Sequence, residues 1–509
     1  MKDKLQTVQA LLDFCEKQYP GRDAFFWRAG ETLHKICYRC FVTQVRALAA
    51  YFAAQTAPEA HIAIVGGNSY QWLLGWFGIV CAGRVAVPLD AQLTTDGLLQ
   101  LLEQSDAELL LYAKDFDDVA QGFGNSLSLD ALPASPAAEE WPCAVVSKDL
   151  ATIVFTSGTT GDSKGVMLNH WNLMSNALSG CRFMDLAGYR TLSVLPFNHI
   201  FSLIPGMLTQ LPGGSAVCIC GGARHLSKDF AAFRPNYMAV VPLLVEKLYE
   251  KIWDTAKNEG KDKLLKRMLR LSNGLLKVGI DVRRKLFSKV LAAFGGQLEW
   301  LLVGGAPMAE EYVEGLAGFG IEVVTGYGTT ECAPAVSLTR CGAYRAQSAG
   351  QVMDCNKVKI DPHGEILVKG GNVFAGYYKD ETATAEAFTD DGWYKTGDLG
   401  RLDEDDYLYI TGRIKNLIIL SNGKNISPEL LEEKLAQIPY VKEALVFAKD
   451  DKIAAELFLD EEMPQETVRL DADIAQLNQA LPVYQRIETV CVRSTEFPKT
   501  TTKKIKRTK

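Results

Sequence analysis

The amino-acid sequence predicts an α/β protein, with a large N-terminal domain of several subdomains and a small α+β C-terminal domain. The chain has 509 residues, 48% of them hydrophobic, which is more than one compact core accommodates. Apolar runs alternate with amphipathic helical segments along most of its length, as in α/β proteins. Near residue 365 the strands become shorter and more polar. We therefore predict domains at 1–413 and 414–509, with the boundary at Arg413 to Lys415.

The apolar runs have the composition of buried strands. In chain order they are HIAIVGG, RVAVPLD, ATIVFTSG, TLSVLPF, YMAVVPLL, LEWLLVGG and IEVVTGYG. Several of them end directly in clusters of Gly, Ser or Thr. Because ligands of α/β proteins usually bind in the loops after the carboxyl ends of strands, these clusters are the first candidates for a functional site.

A long helical stretch from about Val245 to Phe294 separates YMAVVPLL from LLVGGAP. The stretch has apolar residues at helical spacing, namely Leu264, Leu265, Met268 and Leu269, with many lysines and arginines between them. A solvated helical face is the common meaning of such charges. The alternative hypothesis is a weak peripheral contact with a membrane surface.

Composition excludes several classes of protein. The net charge of −7 argues against a general nucleic-acid-binding protein, although the last eleven residues are strongly basic. We find neither a signal-peptide pattern at the start nor a later apolar stretch of membrane-spanning length, so we expect a cytoplasmic protein. Cys37 and Cys40 form a CxxC pair without a second pair at zinc-ribbon spacing, and the twelve cysteines are interpreted as reduced structural thiols.

The first chemical motif is TSGTTGDSKG, from Thr156 to Gly165, directly after the strand ATIVF. Its glycines let backbone N–H groups approach an anion, its hydroxyls add donors, and Lys164 supplies positive charge, so the loop can bind phosphates. It is not a Walker A motif, because Gly165 rather than Ser or Thr follows the lysine. An ordinary Gly/Ser turn is the alternative. It is the weaker interpretation, because ten consecutive residues of this composition directly follow a strand.

This loop resembles the phosphate-binding motif of the adenylate-forming (AMP-binding) superfamily, which includes acyl-CoA synthetases, luciferases and nonribosomal adenylation domains. The resemblance runs from about residue 20 to the end and is closest to long-chain fatty acyl-CoA synthetases. Five further motifs agree with the family in order and spacing. They are Gly304–Pro307 on the adenine side, GYGTTE as the second nucleotide motif, GWYKTGDLG as the ribose motif, GRIKNLI with the hinge, and KTTTKKIKR with the catalytic lysine.

The resemblance implies a site for ATP. The implied nucleotide-binding residues are Thr156, Ser157, Gly158, Thr159, Thr160, Gly161 and Lys164 in the loop, Gly304, Gly305, Ala306 and Pro307 in the adenine-side turn, Gly326, Tyr327, Gly328 and Thr329 in the second motif, and Asp398 and Arg413. Tyr327 would stack on adenine, Thr330 would contact the α-phosphate, and Glu331 would hold the Mg²⁺ that accompanies ATP. The alternative for these residues is a role in strand-end turns, and for Arg413 a surface charge.

The C-terminal motifs imply a mobile domain. Lys504 corresponds to the catalytic lysine, although this chain has Lys503 where relatives carry glycine, so Lys503 is a second candidate. Ser163 departs from the usual proline of the phosphate loop. Lys415 matches the hinge position, and the segment SNGKNISPE, with Gly423 and Lys424, would face the pantetheine thiol of CoA.

His199, in LPFNHIFSL, resembles the residue that related synthetases place between the acyl pocket and the thiol tunnel. That segment has no carboxylate to pair with a substrate ammonium, which disfavours amino acids. The implied function is ATP-dependent activation of a medium-to-long-chain fatty acid to acyl-AMP, followed by transfer to CoA. The alternatives are transfer to the phosphopantetheine of an acyl carrier protein, or a non-catalytic nucleotide-binding relative.

Overall fold

The computed structural model describes residues 4–133, 138–157, 163–340, 342–420, 425–449, 452–460 and 469–499, together with Ile505 and Arg507. The chain divides into two compact units. The first unit is Met1–Lys357 with Val368–Tyr394, and the second unit is Val358–Leu367 with Lys395–Lys509. This mixed α/β architecture, with one large and one smaller unit, confirms the predicted fold class. The domain boundary at Arg413 to Lys415 and the hinge at Lys415 stay predictions.

The strands of the described residues are β1 (Asp23–Ala29), β2 (Thr32–Cys37), β3 (His61–Val65), β4 (Val85–Pro88), β5 (Ala107–Tyr112), β6 (Ser126–Ser128), β7 (Leu150–Ser157), β8 (Ser163–Asn169), β9 (Arg190–Ser193), β10 (Ala216–Ile219), β11 (Tyr237–Val240), β12 (Trp300–Val303), β13 (Glu322–Gly328), β14 (Ala335–Leu338), β15 (Gln351–Val352), β16 (Asn356–Ile360), β17 (Glu365–Gly370), β18 (Gly376–Tyr377), β19 (Tyr394–Leu402), β20 (Leu408–Arg413), β21 (Ile418–Ile419), β22 (Asn425–Ile426), β23 (Val441–Lys449), β24 (Lys452–Leu459) and β25 (Ile487–Arg493).

The α-helices of the same residues are α1 (Val8–Gln18), α2 (Tyr38–Gln55), α3 (Tyr70–Cys81), α4 (Thr95–Gln104), α5 (Asp117–Phe123), α6 (His170–Met184), α7 (Ile200–Leu203), α8 (Leu226–Phe233), α9 (Pro242–Asn258), α10 (Asp262–Lys277), α11 (Arg283–Leu286), α12 (Ser288–Ala292), α13 (Glu310–Gly318), α14 (Glu381–Ala387), α15 (Pro428–Leu435) and α16 (Leu470–Gln479). Side-chain caps begin several of them, as at Thr7, Ser69 and Thr94. At α6, Asn169 and Asn172 form a reciprocal capping box.

A nine-stranded sheet runs through the first unit in the order β15-β14-β13-β12-β11-β9-β10-β1-β2. The strands β9, β11, β12 and β13 are mutually parallel, with Val240 opposite Val303 and Val303 opposite Thr325. Their carboxyl ends consequently meet at one edge of the sheet. Helices α9 and α13 pack on this sheet through a core that contains Leu301, Phe287 and Phe319.

The other large sheet of the first unit has seven strands in the order β18-β8-β7-β4-β3-β5-β6. Its strands β4, β3, β5 and β6 pair parallel, whereas β7 and β8 form an antiparallel hairpin. Each of the seven apolar runs predicted from sequence forms a strand of one of these two sheets, because their Val, Ile and Leu side chains are buried.

The second unit has its own core and sheets. Strands β19 and β20 are antiparallel, with Asp398 directly opposite Arg413. Further along, β23 and β24 pair antiparallel and β25 joins β24 parallel. Helix α15 covers them through the buried side chains of Leu431 and Leu435.

The stretch Val245–Phe294, predicted as helical, consists mainly of α9, α10, α11 and α12. Leu265 of α10 is buried, whereas Leu264 and Leu271 are 54% and 60% exposed. In the described residues, no helix combines the length and the apolarity that crossing a bilayer requires.

Candidate active site

The predicted phosphate loop joins two strands of a hairpin. Thr156 at the end of β7 lies opposite Lys164 near the start of β8, and the Thr156 hydroxyl donates a hydrogen bond of 3.5 Å to the carbonyl oxygen of Lys164. The hairpin therefore brings the hydroxyl and the ammonium of the motif to one end of the sheet. Gly158, Thr159, Thr160 and Gly161, and the side chain of Ser157, lie outside the described residues.

Lys164 belongs to a cluster that joins two of the predicted motifs. Its Nζ lies 4.8 Å from the ring centroid of Tyr377, at a distance that permits a cation–π interaction. The Tyr377 hydroxyl donates a 2.9 Å hydrogen bond to Oε1 of Glu331, the predicted magnesium ligand. Burial raises the pKa of Tyr377, and the charge of Glu331 raises it further. Tyr377 therefore stays protonated and acts as a donor.

Glu331 lies on a single 3₁₀ turn, Thr330–Cys332, just after β13. The backbone N–H of Phe374 donates to the carbonyl of Glu331 at 2.8 Å and fixes the turn. Burial raises the pKa of Tyr394, and the negative charge of Glu331 contributes to that shift. In the part of the chain that the structure describes, no three His, Cys, Asp or Glu side chains are grouped as metal ligands. One carboxylate is the kind of site that holds Mg²⁺ together with substrate phosphates.

The adenine-side turn and the second nucleotide motif follow neighbouring parallel strands. Gly304, Gly305, Ala306 and Pro307 come directly after β12, and Gly326, Tyr327 and Gly328 complete β13. A Cβ on Gly304 would lie 2.8 Å from Cζ of Phe201, and one on Gly328 would lie 1.9 Å from the carbonyl oxygen of Pro334. A side chain at Gly328 would clash with the backbone, whereas one at Gly304 would require Phe201 to move. Because β12 and β13 are parallel neighbours, both motifs lie at the same edge of the sheet. Thr329 and Thr330 continue from there into the turn of Glu331.

His199 follows β9, which lies beyond β11 in the same parallel part of the sheet, and comes immediately before α7. Its loop is tethered by Asn68, whose amide nitrogen donates to the carbonyl of Leu195 at 2.8 Å and whose amide oxygen accepts from the N–H of Phe197 at 2.9 Å. Burial lowers the pKa of His199, and the charge of Asp90 opposes this only in part. The imidazole is therefore neutral at pH 7.

In the second unit, Asp398 and Arg413 form an ion pair across β19 and β20. Arg413 Nε lies 2.8 Å from Asp398 Oδ1, and the Asp398 side chain is 4% exposed whereas that of Arg413 is 52% exposed. The carbonyl oxygen of Ile366 accepts from the Thr396 hydroxyl at 2.8 Å, and Glu365 accepts from the N–H of Gly397 at 2.8 Å. These bonds fix the turn before Asp398. The two residues predicted separately as ribose ligands are thus brought together.

Lys415 lies on a short 3₁₀ helix, Ile414–Asn416, directly after β20. Asn416 donates to Oε1 of Glu429 at 2.5 Å, and a Cβ on Gly412 would lie 2.1 Å from Oγ of Ser427, so the segment packs closely on the start of α15. Gly423 and Lys424, assigned to the thiol channel, lie outside the described residues. The same holds for Lys503 and Lys504.

The flanks of the terminal motif are described, and both are anchored. Lys499 pairs with Glu443 and with Glu496, and its backbone forms an antiparallel bridge with Ile505. Arg507 Nη2 lies 2.5 Å from Glu432 Oε2, and its Nη1 donates to the carbonyl of Val446 at 3.2 Å. Both flanks of the segment with the predicted catalytic lysine therefore contact β23, and the later flank also contacts α15.

Sequence reasoning missed Tyr377 and gave no role to Tyr394 or Asn68. Tyr377 occurs in NVFAGYYKD, and β18 brings it opposite Val166 of β8. The only local signal was the pair of tyrosines after a glycine in this segment. That pattern does not predict a hydrogen bond to Glu331, which is distant in sequence. Tyr394 lies within the quoted ribose motif, where its aromatic ring is buried.

The chain resembles known proteins over most of its length. Residues 12–378 match the AMP-binding enzyme family, and residues 415–509 match the family's C-terminal domain. The long-chain-fatty-acid–CoA ligase FadD15 of Mycobacterium bovis is 30% identical over 424 residues, which are 76% of this chain and 70% of that protein. The long-chain-fatty-acid–CoA ligase 5 of Mus musculus is 29% identical over 437 residues, 74% of this chain and 63% of its own length. O-succinylbenzoate coenzyme A synthetase (MenE) from Bacillus subtilis, in complex with AMP, is 24% identical with a TM-score of 0.79 over 98% of this chain and 97% of that one.

Proposed function

The chain belongs to the AMP-binding enzyme family and is an AMP-forming acid–thiol ligase, and from that premise we propose that its substrate is a medium-to-long-chain fatty acid. The product is then the acyl-CoA, formed with AMP and pyrophosphate from ATP and coenzyme A. The observation that carries this choice is the identity of 30% over 76% of the chain with a long-chain-fatty-acid–CoA ligase. The likeness to MenE supports the fold alone and does not choose among acids.

A small cavity between α6 and the central sheet has room for about one water molecule, so an acyl chain would have to widen it. It is lined mainly by apolar side chains from α6, the ends of the central strands and the loop after β15, among them Met184, Tyr237, Leu302, Leu338 and Met353. Leu302 is two residues before Gly304, so the cavity begins close to the nucleotide motifs. We propose that the acyl chain displaces the side chains around this cavity and extends into it, where each buried methylene stabilises the complex by about 0.8 kcal/mol.

In the first half-reaction, the substrate carboxylate attacks the α-phosphate of ATP and pyrophosphate leaves. Thr156 and Lys164 would bind the β- and γ-phosphates, Thr330 the α-phosphate, and Tyr327 would stack on adenine. Glu331 would hold Mg²⁺, which supplies positive charge against the repulsion between the carboxylate and the triphosphate. Tyr377 orients Glu331 through its hydroxyl and Lys164 through its ring. These groups act by position and charge, without a covalent intermediate on the protein.

The second unit would supply the remaining groups. Asp398 would accept hydrogen bonds from the ribose hydroxyls, next to Arg413. Lys504 would approach the α-phosphate during adenylation, and rotation about Lys415 would then bring Gly423 and Lys424 toward the pantetheine. His199, neutral at pH 7, would separate the acyl pocket from the thiol path in the second half-reaction, in which the thiol displaces AMP.

The proposal is tested by a panel of acids from acetate to stearate, each assayed for acid-dependent pyrophosphate exchange and for thioester formation. We expect kcat/KM to rise with chain length by up to about fourfold per methylene, until the cavity is filled. An optimum at acetate, an aryl acid or an amino acid would contradict the fatty-acid assignment. An absence of exchange with every acid would favour the non-catalytic alternative.

The acceptor is tested with the same fatty acid. Coenzyme A and a phosphopantetheinylated acyl carrier protein are offered separately at equal concentrations. We expect acyl-CoA as the product, and preferential acylation of the carrier protein would establish the alternative acceptor.

We also propose that α10 provides a weak contact with anionic membrane surfaces from which fatty acid is taken. Leu264 and Leu271 are separated by two helical turns and are both exposed, and Val278, just beyond the helix, is 71% exposed. Five cations accompany one acidic residue on the helix, and they are Lys263, Lys266, Arg267, Arg270 and Lys277. Exposed leucines beside cations match an anionic bilayer surface, on which each cation contributes about 1 kcal/mol.

Sedimentation with vesicles containing phosphatidylserine tests this contact. We expect binding at low salt, loss of binding at high salt, and weaker binding of the double variant Leu264→Ser/Leu271→Ser. Leu33→Ser is the matched control, because Leu33 is 48% exposed on β2. Equal binding of all three proteins would show that α10 makes no such contact.

A further inference from the structure

Two cysteines that the proposed reaction does not use lie in contact at the start of α2. Cys37 is the last residue of β2 and caps α2, and Cys40 lies in the first turn of the helix. Their sulfur atoms are 3.1 Å apart, and the backbone N–H of Cys40 donates to Cys37 Sγ at 3.4 Å. Cys40 is exposed and Cys37 is partly exposed. A small solute can therefore reach both thiols.

The backbone between the two cysteines is fixed by the core. Tyr38 is fully buried, and its hydroxyl donates to the carbonyl of Ser215 at 2.5 Å. The N–H groups of Tyr38 and Arg39 donate to the carbonyls of Arg22 and Pro20, at 2.9 and 3.2 Å. The sulfur atoms are thus held together by the fold, and no segment has to unfold before they react with one another.

The two thiols also differ in their pKa values, which are shifted in opposite directions. Partial burial opposes ionisation of Cys37, but hydrogen bonds from the backbone and the thiol of Cys40 outweigh it, and the pKa of Cys37 is lowered. The hydrogen bond with Cys37 raises the pKa of Cys40. By contrast, burial raises the pKa values of Cys15, Cys81 and Cys218, which makes those thiols inert.

A zinc site is a weaker explanation of this pair. Structural zinc takes four ligands in a tetrahedral arrangement. No set of three or more potential ligand side chains is found anywhere in the described residues. Two adjacent sulfurs without further ligands fit dithiol chemistry instead.

We propose that Cys37 and Cys40 form a reversible intramolecular disulfide by exchange with low-molecular-weight disulfides. The Cys37 thiolate attacks one sulfur of the small disulfide and expels one thiolate, which leaves a mixed disulfide on Cys37. Deprotonated Cys40 then attacks the Cys37 sulfur and expels the second thiolate. The protein dithiol is oxidised, the small disulfide is reduced to two thiols, and the two protons lost by the cysteines are taken up by the leaving thiolates.

The test incubates the full native chain with oxidised and reduced glutathione at graded ratios, quenches with acid, blocks free thiols and maps peptides by mass spectrometry. We expect a Cys37–Cys40 disulfide that forms and reverses with the glutathione ratio. Exposed Cys491 is the internal control. We expect Cys37 to react faster than Cys491, because the lowered pKa of Cys37 increases its thiolate fraction.

Two variants identify the roles within the pair. Cys40→Ser should accumulate a glutathione adduct on Cys37, whereas Cys37→Ser should leave Cys40 reacting no faster than Cys491. The proposal is overturned if the native chain forms no Cys37–Cys40 disulfide under oxidising ratios, or if stoichiometric zinc is retained by this pair. The native-chain measurement decides the question even if one variant fails to fold.

Discussion

Tyr377 contacts both Lys164 of the predicted phosphate loop and Glu331, the predicted magnesium ligand. Tyr377→Phe removes the hydrogen bond to Glu331 but keeps the ring beside Lys164. A hydrogen bond to a charged group contributes about 1.5–3 kcal/mol, so we expect pyrophosphate exchange to fall by roughly ten- to a hundredfold. The Mg²⁺ concentration that gives half of the maximal exchange rate should rise at the same time. Measuring the exchange rate at increasing Mg²⁺ concentrations gives both the maximal rate and this concentration.

The adjacent tyrosine provides the control. The Tyr378 hydroxyl donates to Asp106 rather than to Glu331, so Tyr378→Phe should exchange pyrophosphate at the normal rate. Equal losses in the two variants would indicate a general effect of this segment on folding rather than a role at the metal.

His170 gives the first unit a dependence of stability on pH. The imidazole is fully buried, its Nδ1 accepts from the N–H of Val8 at 3.2 Å, and burial lowers its pKa to about 4. The unfolded chain has an ordinary histidine pKa near 6.5 and so binds a proton that the folded chain excludes. The free energy of unfolding is therefore highest above pH 6.5 and falls by up to about 3 kcal/mol as the pH drops toward 4.

His170→Asn keeps an acceptor for Val8 and removes the titrating group. Urea unfolding between pH 7 and 4.5 should show a shallower loss of stability in this variant than in the unmodified chain. His363→Gln, on the surface, should follow the unmodified chain. Identical pH profiles for His170→Asn and the unmodified chain would refute the assignment.

At the level of elements, the terminal segment depends on its two anchors. Arg507→Gln removes the ion pair with Glu432 and frees the end of the segment that follows Lys504. Because misplacing a catalytic group by about 1 Å costs up to a hundredfold in rate, we expect adenylation to slow by about ten- to a hundredfold. Thioester formation from supplied acyl-adenylate should be unchanged, and both half-reactions are followed in separate assays.

Lys452→Gln is the matched control, since it breaks an exposed pair with Glu488 in the same unit. It should leave both half-reactions unchanged. If Arg507→Gln adenylates at the normal rate, the anchor does not position the segment.

The cavity beside β11 and β12 allows a test of chain length. Met353→Ala should enlarge it and shift the optimum to acids about two methylenes longer, with a gain of about tenfold in the kcat/KM ratio of long over medium acids. The variant should also lose about 2–5 kcal/mol of stability. Met174→Ala removes an equally buried methionine that does not line the cavity, so it should lose stability without a change in chain-length preference.

On the scale of the whole molecule, the proposed mechanism separates two lysines by half-reaction. Lys504→Ala should reduce adenylation by about 10²–10³, because one preorganised positive donor is lost, and should still convert supplied acyl-adenylate to thioester. Lys415→Pro should retain pyrophosphate exchange but form little acyl-CoA, because the fixed φ restricts the hinge. If Lys503→Ala rather than Lys504→Ala loses adenylation, the alignment of the terminal motif is off by one.

Much of the first unit could be predicted from sequence because strands buried on both faces leave continuous apolar runs. The same reasoning placed Gly304 directly after one strand and Tyr327 at the end of another, where the structure has them. Contacts between distant segments left no local signal, as with Tyr377 beside Glu331. The pairing of Asp398 with Arg413 depends on a register that shifts between Leu399 and Gly400, which residue patterns do not specify.

The chain passes three times between the two units, and this connectivity imposes an order on biosynthesis. Val358–Leu367 leaves the ribosome before the residues that complete the first unit. The hydrogen bonds of Glu365 and Ile366 can form only after their partners Gly397 and Thr396 have been synthesised. At about 5–20 residues per second, the remaining 395–509 take about 6–23 seconds to synthesise. During that interval a nascent chain holds a finished first unit and an incomplete second unit, whose hydrophobic core around Leu431, Leu435 and Leu457 has not yet formed, so we expect chaperones to bind the nascent chain at this stage.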